Sequence, residues 1–595
     1  MRIRSTPVET LLRKGKALRR EFLQKPDLLE VRIAILAGST ANEVADFLEL
    51  LLLDEGIRPV FYHSQYNRYF EEAVLETQQL VEFAPHIVYV HTSSVNIQGL
   101  PPLDASESDL HAHISAEVLR FAAIWDSVQQ RIGCMVIQNN FELPDCRLLG
   151  NMDGVLPGGR TRSIQQLNCE FASQAWARKK ILINDVNSIA STMGLDRFHD
   201  AGRWFSYKLI CTPAGSMAMA NSIAAIIAGI YGRSRKCLVL DLDNTLWGGV
   251  IGDDGPEGIK IGKETPEAEA YSAFQQYCLA LKARGVVLAA CSKNSEAIAK
   301  QGFAHPDAIL KLSDFASFRV NWEPKHENVK AIAEDLNLGL DSLVFVDDNP
   351  AEREIVSAQL PMVAVPDVGS DVANFIRILD QARYFEPISL SNEDLERANQ
   401  YESNGLRRAE QRRFASYDEY LESLEMSAEI ATFTTIYFER ITQLINKTNQ
   451  FNLTTRRYTL AEIEGIAADA SYVTLYGKLK DKFGDNGLVS VIIGRREGQI
   501  LHVDLWLMSC RVLQRDMELA MLDALIAACR QRNISEIRGY YVPTNRNGLV
   551  RGHYESLGFR AIGSTGGHQS TWKLDLSAEH AARNKRIAIK ELVRD

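Results

Sequence analysis

The sequence predicts an α/β fold class divided into several domains, on three observations. Short runs of Val, Ile and Leu alternate with longer segments of helical period up to about residue 370, the pattern of parallel sheets covered by helices on both faces. From about residue 431 the order changes to consecutive strands, one long helix and further strands, an α+β pattern. A chain of 595 residues also exceeds what one hydrophobic core supports and has room for about three to five domains.

The first unit, 1–230, opens on the strand VRIAILAGST (Val31–Thr40), which breaks at Gly38-Ser39. Val44, Phe47, Leu48, Leu51 and Leu52 then fall on one face of a helix that stops at Gly56. IRPVFYHSQYN, HIVYVHTSS and CMVIQNN supply further strands, and GRSRK (Gly232–Lys236) is the junction. The second unit, 235–370, alternates again: LVLDLD, the helix PEAEAYSAFQQYCLALKARG, VVLAACSKN, the helix ENVKAIAEDLNLG, SLVFVDDNP and MVAVPD. Residues 371–430 are charge-rich and helical in pattern, a connector without a site. The third unit, 431–577, carries LVSVIIGRREGQILHVDLWLMS, with GRREGQ as a hairpin turn, then the helix MELAMLDALIAACRQRN and the strand IRGYYV. Residues 578–595 read as a polar tail.

Composition narrows the function classes. Hydrophobic residues make up 46% and charged residues 24%, typical of soluble globular protein. A net charge of −10 supplies no broad basic field, so nucleic acid is not expected as a partner. The nine cysteines stand singly with no CxxC pair, which suits a reducing, cytoplasmic setting and indicates neither a disulfide framework nor zinc. MRIRSTPVETLLRKGKALRREFL has no apolar run after its basic residues and is not expected to be a secretory signal. MAMANSIAAIIAGIYG is interrupted by Asn221 and Ser222 and is too short to span a bilayer, so no membrane is expected either.

The chemistry concentrates in LVLDLDNTLWGGVIGDDG (Leu238–Gly255). Leu238, Val239 and Leu240 form a buried parallel strand without polar alternation. Asp241 and Asp243 arrive where it ends, at the edge that carries the ligand crevice in open α/β sheets. Two carboxylates there repel unless a cation or a shared proton lies between them; the plainer alternative is an Asp capping the next turn. Three more strand or helix ends in the same unit carry polar groups: Ser292 in CSKN, Lys325 in WEPKHEN, and Asp347 with Asp348 in VFVDDNP.

This order resembles the four motifs of the haloacid dehalogenase (HAD) phosphotransferase superfamily. The resemblance implies a Rossmann-like domain with a minimal cap, because the helix PEAEAYSAFQQY follows the first motif closely. It implies Asp241 as nucleophile, Asp243 as general acid and base, and Ser292 and Lys325 as phosphate-binding groups. It also implies Mg2+ at a set comprising Asp241, Asp243, Asp347 and Asp348. LDLDNTLWGGVIGDDG, ACSKN and FVDDNP look like the FkbH-like subgroup, as do FNLTTRRYT (Phe451–Thr459), KFGDNGLV (Lys482–Val489) and LMSCRVL (Leu507–Leu513), so that most of 235–575 is covered. That subgroup is associated with moving the acyl group of 1,3-bisphosphoglycerate onto the phosphopantetheine arm of an acyl carrier protein as a glyceryl thioester, with loss of phosphate. Its members occur in polyketide assembly lines, and longer relatives occur beside surface-polysaccharide genes. The expected partners are therefore a phosphorylated small-molecule acyl donor and a carrier protein. The alternatives are a plain small-molecule phosphatase with non-catalytic flanking domains, and a non-catalytic module of a biosynthetic complex.

Acyl transfer of this kind calls for a thiol, and two cysteines lie within these motifs. Cys291 precedes Ser292, although adjacent strand residues face opposite ways; Cys510 stands beside Arg511, which favours a thiolate. The alternative for each is a buried small hydrophobe. The third unit resembles a GNAT acyltransferase, a fold that binds a pantetheine pyrophosphate on backbone amides at a helix N-terminus. Where the subgroup commonly reads RVLGRGVE, this chain has Gln514 and Asp516 in place of both glycines, which speaks against ordinary acetyl-CoA transfer. Asn545 and Tyr554 fall where that fold's later motif contacts substrate. The first unit resembles an SGNH hydrolase of flavodoxin type. Ser39 in AGST stands at the nucleophile position, Asp196 and His199 in DRFHDAG at the orienting acid and base, and Asn96 in an oxyanion role; a degenerate binding domain is the alternative.

Overall fold

A computed structural model of the protein describes residues 3–390, 407, 410–411, 413–414, 416–509, 512–544, 546–565, 569–577 and 580–590. The chain divides into two compact units, 1–229 with 459–461, and 230–458 with 462–595. It is a mixed α/β architecture in which the second compact unit carries two separate sheets.

The first unit is built on five parallel strands, β1 (Leu29–Ala37), β2 (Ile57–His63), β3 (Ile87–His91), β4 (Met135–Asn139) and β5 (Ile181–Asn184), in the order β2-β1-β3-β4-β5. β1 is buried on both faces from Ile33 to Ala37, as its unbroken apolar run requires. The helix Pro213–Ile230 is apolar and long enough to cross a membrane by length and composition, but 72% of it is buried within the fold, where it serves as a core helix.

The second sheet contains β6 (Cys237–Leu240), β7 (Val287–Ser292), β8 (Phe315–Val320) and β9 (Leu343–Val346), all parallel, in the order β8-β7-β6-β9. Alternation along β6 sends Leu238 and Leu240 into one core layer and Cys237 and Val239 into the other. The long helix Pro266–Ala283 starts at Thr265, whose hydroxyl accepts from Ala268 N at 3.1 Å, with Pro266 at its first position. β6 and β9 are adjacent and end together, which brings Asp241 and Asp347 side by side.

The third sheet joins β10 (Ser427–Ala431), β11 (Tyr472–Asp481), β12 (Gly484–Glu497), β13 (Ile500–Met508), β14 (Glu536–Tyr541), β15 (Arg560–Thr565), β16 (Gln569–Asp575) and β17 (Ala588–Ile589), in the order β15-β16-β14-β13-β12-β11-β10-β17. The helix Met517–Gln531 covers one face, and the helix Phe438–Lys447 covers the other. The expected polar tail is not wholly so: Ile587 is buried, and β17 pairs with β10. The expected connector is shorter too, because β10 begins at Ser427; residues 391–406 of it lie outside the described residues.

Candidate active site

Asp241 follows β6 directly, and its N–H donates to Val346 O at 3.0 Å, tying it to the end of β9. Asn244 turns the chain at φ +54°, a conformation its short side chain tolerates. Lys325 opens the helix Lys325–Leu336 and is buried. Its Nζ stands 3.0 Å from Asp241 Oδ2 and 2.6 Å from Asp347 Oδ2, so one ammonium serves two carboxylates. The Ser292 hydroxyl, at the end of β7, favours the charged form of Asp241. Asp347 Oδ1 accepts from Asn349 N at 2.9 Å, and the Thr245 hydroxyl is 3.4 Å from Asp348 Oδ1. Carboxylate oxygens of Asp241, Asp347 and Asp348 lie within 4.8 Å of one another, and Asp241 Oδ1 is buried without a hydrogen-bond partner among the described residues.

Three acids facing one ammonium leave an excess of negative charge in a dry place. Burial pushes Asp241 up from its ordinary value, against the pull of Lys325. Burial and then the Asp241 charge push Asp347 up to about 6, and burial followed by Asp347 raises Asp348. Burial works against the Lys325 ammonium, but Asp241 and Asp347 overcome it and hold the lysine above its ordinary value. Clustered hard oxygens with one orphaned buried carboxylate oxygen suit a divalent cation of the magnesium class.

Asp243 faces a different set of groups. Its Oδ1 accepts from Trp247 Nε1 at 2.9 Å and from Ile251 N at 3.1 Å, and its Oδ2 accepts from Asn294 Nδ2 at 2.9 Å. Trp247 is fully buried and rests on Gly302, where a Cβ would come within 2.8 Å of the indole and 3.1 Å of the Ile251 side chain. Arg353 donates to the carbonyls of Asp347 at 2.8 Å and Asp348 at 2.6 Å, fixing the turn that presents them. Motif matching leaves Trp247, Asn294 and Arg353 without roles. The signals are a tryptophan four residues after Asp243, an asparagine two after Ser292 and an arginine six after Asp347.

The structure corrects the expected role of Cys291. Ser292 faces Asp241, so its strand neighbour faces the opposite core layer, among Val239, Val329 and Phe345. The thiol approaches Lys325 O at 3.7 Å, and burial drives its pKa far up, which keeps it a protonated core side chain. Cys510 and Asn545 lie outside the described residues. Tyr554 is core: Gly539 lacks a Cβ where the ring lies, and Phe559 packs at 5.0 Å between ring centroids.

The expected Ser39–His199–Asp196 triad is not assembled either. Ser39 follows β1 and is buried, with its hydroxyl unpartnered among the described residues. His199 Nε2 donates to Leu143 O at 3.2 Å instead, and no hydrogen bond or ion pair joins it to Asp196, which is exposed on the one-turn helix Leu195–Phe198. Asn96 Nδ2 donates to Gly38 O at 2.9 Å, so its amide is committed to the backbone rather than to an oxyanion. The acid near His199 is Glu142, buried, with Oε1 accepting from the Ser94 hydroxyl at 2.7 Å and Oε2 unpartnered. Its one sequence signal is an acid soon after the strand CMVIQNN.

No family model matches the chain, and no curated protein matches it in sequence. Among solved structures, it is similar to the N-terminal part of the protein BF1531 from Bacteroides fragilis, which contains a phosphatase domain and is complexed with Mg. That likeness has 29% identity and a TM-score of 0.58, and covers 63% of this chain and 99% of the other. Ard1 from Thermoplasma volcanium is 19% identical over 25% of this chain and 97% of its own, with a TM-score of 0.20. An acetyltransferase of the GNAT family from Staphylococcus aureus Mu50 is 15% identical over 25% of this chain and 100% of its own, with a TM-score of 0.21. The last two likenesses carry no argument at those scores. The first, taken with the lysine and acids at the ends of the second sheet, makes this chain an enzyme.

Proposed function

We propose that the second sheet carries a magnesium-dependent phosphotransferase centre of the HAD type. The FkbH-like resemblance extends the reading to a reaction that removes phosphate from a phosphorylated three-carbon acyl donor of the 1,3-bisphosphoglycerate kind and loads the glyceryl group on an acyl carrier protein. The observation that carries it is the Lys325 ammonium set between Asp241 and Asp347 beside an unpartnered Asp241 oxygen.

The Asp241 carboxylate attacks phosphorus while the bond to the leaving oxygen breaks, giving an aspartyl phosphate. Asp243 gives its proton to that oxygen and later takes one from the water that frees phosphate. Lys325 and Ser292 bind phosphoryl oxygens as charge moves onto them. Asp241, Asp347 and Asp348, with the main-chain carbonyl of Asp243, would hold magnesium, which supplies a positive charge against the phosphoryl group.

Burial of Cys291 favours a second reading, a plain phosphatase, because it removes one of the two candidate thiols. Incubating the protein with Mg2+, 1,3-bisphosphoglycerate and phosphopantetheinylated carrier proteins separates the two. Phosphate release together with a glyceryl adduct, seen by intact-protein mass spectrometry, supports the transferase. Release without any adduct leaves the phosphatase, and release undiminished by Asp241→Asn removes the centre altogether.

A further inference from the structure

Three sequence stretches that the phosphatase reading leaves unused come together in the third sheet: Phe451–Leu453, Val489 and Met508–Ser509 are joined by backbone hydrogen bonds. The place is the junction of β13 and β14. These strands are parallel and pair over four steps, from Ile500 with Glu536 to Val503 with Gly539. The ladder then stops, although β13 continues to Met508 and β14 to Tyr541. Facing strand edges of this kind need hydrogen-bond partners and accept an extended chain that carries amide groups.

The protein's own chain fills that gap. Leu453 N donates to Trp506 O at 3.1 Å and Met508 N donates to Phe451 O at 3.0 Å, an antiparallel bridge of Asn452 with Leu507. On the other side Val542 N donates to Leu453 O at 2.9 Å. Asn547, fully buried, clamps the insert by donating to Asn452 O at 3.0 Å and Val542 O at 2.9 Å. The Thr454 hydroxyl donates to Asp504 O at 2.7 Å, and the Phe451 ring packs edge-on to His553 at 4.8 Å.

The approach to the helix Met517–Gln531 is also taken by the chain's own groups. Gln514 and Asp516 adopt φ +62° and +59°, the left-handed region that glycine would enter without strain. Asp516 stands at the helix start, its carboxylate bound by Arg586, and Glu518 lies half-buried in the first turn. Asp516 makes no capping hydrogen bond to the helix, but two carboxylates beside its positive end disfavour a second anion there.

We propose that the third unit is closed to coenzyme A-type ligands, because Phe451–Leu453 occupies the edge on which an extended pantetheine arm would pair and Asp516 with Glu518 occupies the anion position. The unit carries an internal peptide ligand in place of an acyl-CoA. This inference is independent of the phosphatase reading and is tested without an activity assay.

The full-length protein is titrated with coenzyme A and acetyl-CoA by calorimetry, and amide hydrogen exchange is followed with and without each. The expected result is no binding tighter than about 1 mM, with unchanged protection at Leu453, Met508 and Val542. A Gln514→Gly, Asp516→Gly double variant, shown to be folded by near-UV circular dichroism, is expected to stay equally unresponsive because the strand gap remains filled. Micromolar binding by the wild type with loss of protection at those amides would overturn the proposal. Micromolar binding gained by the double variant would also overturn it, since the loop alone would then be the obstacle.

Discussion

Replacing Asp241 with Asn tests whether the acids of the second sheet are overloaded with negative charge. The substitution keeps shape and removes one charge from three carboxylates facing a single lysine. With the oxygens within 4.8 Å, each carboxylate pair repels by at least about 3.5 kcal/mol at an effective dielectric of about 20, so losing Asp241 relieves about 7 kcal/mol across two pairs. The lost attraction to Lys325 at 3.0 Å is about 5.5 kcal/mol on the same scale. The balance favours Asn by about 1–2 kcal/mol, before any relief from burying one charge fewer. Thermal unfolding at pH 8 in EDTA is therefore expected to show Asp241→Asn at least as stable as the wild type. Added Mg2+ is expected to raise the wild-type midpoint more than that of the variant. A variant several degrees less stable in EDTA would refute the reasoning: Asp241 would then be a net stabilising partner of Lys325, and the site would have no electrostatic call for a cation.

Trp247→Phe removes one N–H from Asp243 while keeping most of the ring. On the proposed mechanism kcat for phosphate release falls about 10–100-fold, the worth of one hydrogen bond to a charged group, with KM little changed. A rise in KM alone in steady-state assays would show that Trp247 serves substrate binding instead. Cys291→Ala is expected to leave phosphate release within about twofold while lowering the unfolding free energy measured in urea by about 1 kcal/mol, the loss of a small buried side chain; loss of an acyl adduct in this variant would return Cys291 to the chemistry. His91 is buried and held neutral, its pKa lowered to about 4 by burial. In the unfolded chain it takes up a proton near 6.5, so the unfolded state binds more protons between about 6.5 and 4, and this group's share of stability falls by up to about 3 kcal/mol as pH drops through that window. Urea midpoints of the wild type against His91→Gln from pH 7 to 4 check this, and equal slopes would contradict it.

What the sequence made legible follows from how locally each feature is encoded. β6 and β9 are apolar runs ending in acids, which the sequence shows, and the HAD resemblance groups Asp241 with Asp347; that these two strands are neighbours, which sets their ends side by side, is visible in the structure alone. The alternation rule likewise foreshadows the turn of Cys291 away from Ser292. The triad of the first unit fails for a local reason: two residues separate Asp196 from His199, but the helix that carries the acid is a single turn that leaves it in solvent. The insertion of Phe451–Leu453 beside Trp506–Met508 joins segments about 55 residues apart, and no periodicity in either one announces the other. The β17 strand was hidden by the charges around Ile587 and Ile589, whose alternation is its one visible mark.

On the proposed mechanism, Gly302 links the interior of the fold to the proton chemistry of the centre. Both donors to Asp243 Oδ1, the Trp247 indole and the Ile251 amide, belong to residues whose side chains lean on that bare position. One methyl group added there would push the indole and the isoleucine outward together, and the carboxylate they hold would move with them. A helix residue that touches no substrate thus works as a mechanical stop for the acid and base. On that mechanism, substitutions at 302 are an adjusting screw for the timing of proton transfer, one that removes no charged group from the centre.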